Sequence, residues 1–168
     1  MSNQRIYSLI WNKKAVVTQP IALLVVFFVS SVILTLFFLS IPGLIKESHR
    51  QQVETEIEKI IVEASTMYEY AENGTKKTIS VQFPSSLRFA VFGAVPTQGT
   101  SEPTTLTIDD HTSNNYFYVM KDGSIYPFHT NTRFSNHNMT QMVLFHPGCF
   151  TITLQLCQKE GTPYVTMQ

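Results

Sequence analysis

The sequence predicts an α+β protein: a long N-terminal transmembrane and amphipathic helix, followed by an antiparallel β-sandwich-like domain. Three observations carry this reading. Residues 15–45 hold no charged side chain, residues 46–73 repeat apolar residues at helical spacing, and from Lys77 the apolar period falls to two.

Ile21 to Ile41 (IALLVVFFVSSVILTLFFLSI) is long enough to cross a bilayer core of ~30 Å at ~1.5 Å rise per residue. A secretory signal would have an apolar stretch of ~7–15 residues and a small-residue cleavage site. This run is about twice that, and Pro42-Gly43 leads into more helix-patterned sequence. The run therefore reads as a retained single-pass anchor. Arg5, Lys13 and Lys14 precede it without any acid, whereas Lys46, Arg50 and Lys59 after it are interleaved with Glu47, Glu54, Glu56 and Glu58. The positive-inside rule places residues 1–14 in the cytoplasm and residues 46–168 outside the cell membrane, with Tyr7 and Trp11 as interfacial aromatics.

Between residues 46 and 73, apolar Val53, Ile57, Ile60, Ile61, Ala64, Met67, Tyr68 and Ala71 fall in steps of three and four. They form one helical stripe, opposite Glu54, Glu56, Glu58, Lys59, Glu63 and Glu69. The stripe is expected to cover the β domain; the alternative is a helix–helix assembly surface. Pro42-Gly43 predicts a break or kink between the two helical segments, and Asn73-Gly74 a C-terminal stop.

Residues 74–168 read as seven or eight short strands. Thr78–Phe83 alternates and ends at Pro84; Leu87–Phe92 follows a Ser-Ser turn; Thr105–Ile108 is a short strand beyond a 97–104 loop. Tyr116–Met120 and Ser124–Phe128 flank Asp122-Gly123, a hairpin signal, and Pro127 restricts the second to an edge or a bulge. Met142–Phe145, Phe150–Leu156 and Tyr164–Met167 complete the set. About ninety residues is near the lower limit for a self-sufficient core, so a docked helix would enlarge it.

The order of these pieces resembles archaeal type IV pilin-like proteins. Lys13-Lys14-Ala15-Val16 before Thr18-Gln19-Pro20-Ile21-Ala22-Leu23 is similar to their N-terminus, a basic pair and a small residue ahead of a proline-containing apolar helix. A Glu-rich amphipathic helix, then Gly74–Pro84, the Asp122-Gly123-Ser124 hairpin and Pro147-Gly148 before a long alternating strand extend the likeness over most of the chain. The resemblance implies a precursor cut between Ala15 and Val16 by a membrane peptidase, and a helix held in a filament or a membrane. The chain departs from the family in having Val17-Thr18-Gln19-Pro20-Ile21 in place of a Ser-Pro-Val-Ile run, and no Glu at the fifth position after the cut. Archaellum stator proteins that grip the surface layer share the plan of one helix and a β-sandwich.

No catalytic constellation stands out. Ser85-Ser86 and Ser101 lack a nucleophile elbow, and the glutamates fit the wet face of a helix. His111, His129, His137 and His146 show no common metal spacing, so neither a metal nor another cofactor is expected. Cys149 and Cys157 bracket one strand, whose eight steps separate them by roughly 26 Å, against the ~4.4–6.8 Å a disulfide needs. Both lie opposite Phe150 and Ile152 and read as free thiols on a covered face. Asn73-Gly74-Thr75 and Asn138-Met139-Thr140 are glycosylation sequons. Tyr116, Tyr118, Tyr126 and Phe128 crowd one hairpin; their aromatic face either packs against a helix or is the candidate partner surface.

Twelve basic and twelve acidic residues cancel, which argues against a nucleic-acid partner. The sequence thus predicts a non-catalytic surface glycoprotein, with membrane lipid and protein partners: its own copies in a filament, an envelope layer or a membrane complex. An accessory subunit, packed through Ser30, Ser31, Thr35 and Ser40, is the alternative, and a metal- or ligand-binding ectodomain a weaker one.

Overall fold

A computed structural model of the chain describes residues 13–96, 101–104 and 106–168, with side chains in the helix from residue 20 onward. The chain divides into two units, Met1–Ile45 and Lys46–Gln168. Helix α1 (Lys13–Tyr70) runs from the first into the second. Pro42 and Gly43 lie inside α1, so the expected break is not a helix end. Proline removes one backbone donor and leaves the carbonyl four residues earlier without its helical partner, at a cost that does not end the helix here. The helix stops at Tyr70, before the expected Asn73-Gly74. Gly74, at φ +90°, instead turns the chain into the sheet, its N–H donating to the Leu156 carbonyl at 2.8 Å.

From Ile21 to Ile45, α1 is apolar on every side and, Ile41 apart, bare: Leu23, Phe27 and Leu39 are 72%, 75% and 73% exposed. A helix hydrophobic all round belongs in an apolar medium. This is the one stretch among the described residues that is long and apolar enough to cross a membrane. Thr35 Oγ1 donates to the Ser31 carbonyl at 2.8 Å and Ser40 Oγ to Leu36 at 3.1 Å. These two hydroxyls are satisfied within the helix, without a neighbouring span.

In the second unit, eight strands form two four-stranded sheets among the described residues: β1 (Lys76–Phe83), β2 (Leu87–Phe92), β3 (Asn115–Met120), β4 (Ile125–His129), β5 (Phe134–Asn136), β6 (Val143–Phe145), β7 (Gly148–Lys159) and β8 (Thr162–Met167). One sheet runs β1-β7-β8-β5, the other β4-β3-β2-β6. All pairings are antiparallel except β5 with β8. The α+β expectation holds, with two differences. Residues 106–108 give a single bridge, Thr107 to Gln141, in place of a strand. The three-residue β5 was not expected, because Phe134-Ser135-Asn136 is too short to show a period.

The main core lies where the helix stripe meets both sheets. Val53, Ile57, Ile60, Ala64 and Met67 are buried against Val81 and Phe83 of β1, Phe92 of β2, Tyr118 of β3, and Ile152, Leu154 and Leu156 of β7. The stripe therefore covers the chain's own domain. A second cluster, Phe89, Val91, Phe117 and Val119, fills the opposite face of the β2–β3 sheet. Strand β2 consequently reads LRFAVF, nearly continuous, because both its faces are buried.

Candidate docking surfaces

The aromatic hairpin, expected either to pack against a helix or to face a partner, is largely a packing face. Tyr116 and Phe128 stack at 5.1 Å between ring centroids, Tyr118 and Tyr126 at 4.9 Å, and Tyr118 and Phe128 at 5.8 Å. The Tyr116–Phe128 and Tyr118–Tyr126 pairs face each other across β3 and β4, and even-numbered residues share one face. That face turns to α1. Arg50 lays its guanidinium over Tyr126 at 5.1 Å, and the Tyr118 hydroxyl donates to Glu54 Oε1 at 2.8 Å. Tyr118 is fully buried, and Tyr116 and Tyr126 are half-buried; Phe128, at 37%, is the exposed member. Of the two readings of this hairpin, packing against a helix holds at Tyr118, which α1 covers, and a partner surface there does not.

Charged groups line this contact. Arg50 Nε donates to Glu54 Oε1 at 3.0 Å, which holds the guanidinium well above its usual pKa. Burial, then the bond to Glu54, raises the Tyr118 phenol. One turn earlier, Lys46 Nζ meets Asp122 Oδ2 at 2.9 Å. That hydrogen bond, joined by the Ser124 amide, brings Asp122 down to about 2.

The edges of the two sheets differ. β5 and β6 are three residues long. In β4, residues 126 and 128 point their N–H groups at β3, so Pro127 stands at an outward position and removes a donor from that edge. β1 is longer. Its odd-numbered residues bond to β7, and Thr78, Ser80 and Gln82 turn their backbone groups outward. Glu56 Oε2 accepts from the Gln82 amide at 2.9 Å. Burial raises Glu56, but bonds from Lys59 and Gln82 outweigh it and leave its pKa below the ordinary value. Lys77 pairs with Glu63. Between these two anchors, a groove of about 540 Å³ runs along α1 and β1, lined by Glu58, Val62, Ile79 and Ser80 among others.

The remaining expected residues are dispersed. Ala15 and Val16 lie within α1, while residues 1–12 fall outside those described. Asn73 and Asn138 sit exposed in turns at separate points of the domain. Cys149 is exposed and Cys157 half-buried on the polar face of the β1–β7 sheet, so that face is open at Cys149 and not covered there. Asp110 accepts from the Tyr164 hydroxyl at 2.7 Å, which pulls its carboxyl below the usual range. His129 Nδ1 lies 3.1 Å from Asn115 Oδ1, and His146 lies 3.8 Å from Glu102. Among the described residues no three His, Cys, Asp or Glu side chains gather as a metal site. No family model, curated protein or solved structure matches this chain.

Proposed function

We propose that this chain is a non-catalytic, archaeal type IV pilin-like surface protein. The apolar part of α1 anchors it in the cell membrane with the N-terminus in the cytoplasm, and the β domain faces outward for filament assembly, adhesion or envelope attachment. The carrying observation is the division of α1. Leu23 to Leu39 are bare on all sides, whereas Val53 to Met67 have one stripe sealed against two sheets. A soluble fold gains nothing from the first part, and an apolar medium accounts for it. Exposed sequons at Asn73 and Asn138 are compatible with surface glycosylation.

The reading is tested by the N-terminal residue and assembly state of the protein from its native membrane. A start at Val16 in particles of many identical subunits supports the pilin-like role. An intact Met1 in a monomer sinks polymerisation and the processing between Ala15 and Val16.

A further inference from the structure

We infer that Asn73-Gly74 is a self-modifying site: Asn73 deamidates through a cyclic imide with Gly74 when the hydrogen bond from Gly74 to Leu156 opens. The junction between α1 and β1 then keeps a covalent record of its own opening. The turn creates the reactive pair. Gly74 stands at φ +90°, where a side chain is strained, and leads the chain from the helix into the sheet. A glycine after asparagine also leaves the main-chain nitrogen without a Cβ to shield it. Asn73-Gly74 is the one Asn-Gly pair in the sequence; every other asparagine precedes a residue with a side chain. Asn73 is exposed, so water reaches its amide. Asp122-Gly123 has the same arrangement, but its carboxylate is ionised and paired with Lys46, which makes it a poor electrophile.

The fold holds the reaction back. The Gly74 N–H donates to the Leu156 carbonyl at 2.8 Å, and the Leu156 N–H donates to the Thr75 carbonyl at 3.0 Å. Residues 74 and 75 thus extend the β1–β7 ladder past its last pair, Lys76 with Gln155. Leu156 is buried and pairs with Val165 on its other side, so its carbonyl is a fixed acceptor. Imide closure needs the Gly74 nitrogen to give up its proton and turn to Asn73 Cγ. While bonded to Leu156 it does neither. The end of a ladder opens more readily than its middle. In the open form a bond forms between the Gly74 nitrogen and Asn73 Cγ, the bond from Cγ to the amide nitrogen breaks, and ammonia leaves with the proton that Gly74 lost. Water then opens the imide at either carbonyl, leaving aspartate or isoaspartate at position 73. The isoaspartate form routes its main chain through the side-chain carbons, lengthens the turn by a methylene, and sets a carboxylate beside Glu72. Gly74 then no longer meets Leu156 in register, and the junction stays open. Either product also ends the use of the Asn73 sequon, because the nitrogen a glycan would occupy has left. None of this rests on the anchored reading.

The full chain, made in a host without N-glycosylation and held in detergent, tests this by peptide mass mapping after incubation at mildly alkaline pH. Asn73 is expected to convert roughly tenfold or more slowly in the folded domain than in guanidinium-unfolded chain. Its conversion should rise in step with hydrogen exchange of the Gly74 amide as sub-denaturing guanidinium is added. The isoaspartate form should lose Gly74 protection, whereas Asn73→Asp, with an unaltered main chain, should keep it. Equal conversion in folded and unfolded chain overturns the control by Leu156. Survival of Asn73 in the unfolded chain overturns the site itself, and an isoaspartate form with Gly74 still protected overturns the covalent record.

Discussion

The hydroxyl of Tyr118 on β3 donates to the Glu54 carboxylate on α1 at 2.8 Å, across 64 residues of sequence. The same carboxylate oxygen receives Arg50 Nε, whose guanidinium lies over Tyr126. One carboxylate thus joins the helix to both strands of the hairpin. Tyr118→Phe keeps the ring stack and removes the donor, leaving Glu54 partly solvated and still paired with Arg50. The expected loss is about 1.5 kcal/mol, the low end for a charged hydrogen bond. Tyr118→Ala also removes a buried ring and should cost roughly 3–5 kcal/mol. Chemical denaturation of the full chain in detergent separates the two; an equal loss for both would contradict this assignment.

The helix stripe gives a sharper contrast. Ile60 is fully buried in the core, and Val62, two residues on, is 54% exposed. Ile60→Ala should destabilise the domain by roughly 2–5 kcal/mol. Val62→Ala should stay within about 0.5 kcal/mol. Similar midpoints for the two variants would mean that α1 does not dock by this face.

Gly93 ends β2 at φ +92°, and a Cβ there would lie 2.8 Å from the Phe134 carbonyl oxygen. Its N–H donates to Asn115 at 2.8 Å. Gly93→Ala combines a left-handed backbone with a clash against main chain, for a loss of roughly 2–5 kcal/mol. Gly161 has φ +81° and open space, so Gly161→Ala carries only the backbone penalty, roughly 1–2 kcal/mol. Thermal melts of both variants should rank in that order.

Asp122 provides a pH signature. Its folded pKa of about 2 lies below the ordinary carboxylate value, so its contribution is complete above roughly pH 4 and is lost as pH falls through 2. The pair with Lys46 is exposed and screened by salt, so its share of stability is small. A carboxyl titration followed by NMR should place Asp122 near 2 in the native chain and nearer the ordinary value in Lys46→Met. An unchanged Asp122 in that variant would show that Lys46 is not the cause.

The sequence made some of this legible, for physical reasons. The charge-free run, the 3.6-residue stripe and the Asp122-Gly123 turn are local, so the helix, the hairpin and the edge position of Pro127 could be read directly. What stayed hidden depends on distant partners. The bridge at Thr107, the parallel pairing of Phe134–Asn136 with β8, and the burial of Tyr118 beneath α1 are set by tertiary contact. For the aromatic hairpin, alternation shows which residues share a face, and not whether a helix or a partner covers it. The β1 edge was missed because an unpaired strand reads like a paired one. Its signal lay in Glu56 and Glu63, spaced seven apart on the helix and meeting Gln82 and Lys77.

The central claim is that α1 anchors a domain that faces outward, and Cys149 reports on it. Its thiol is exposed on the open sheet face, while Cys157 is half-buried. A membrane-impermeant maleimide applied to intact source cells should label Cys149 faster than Cys157, without permeabilisation. Labelling of Cys149 only after the cells are opened would place the β domain inside and contradict the account.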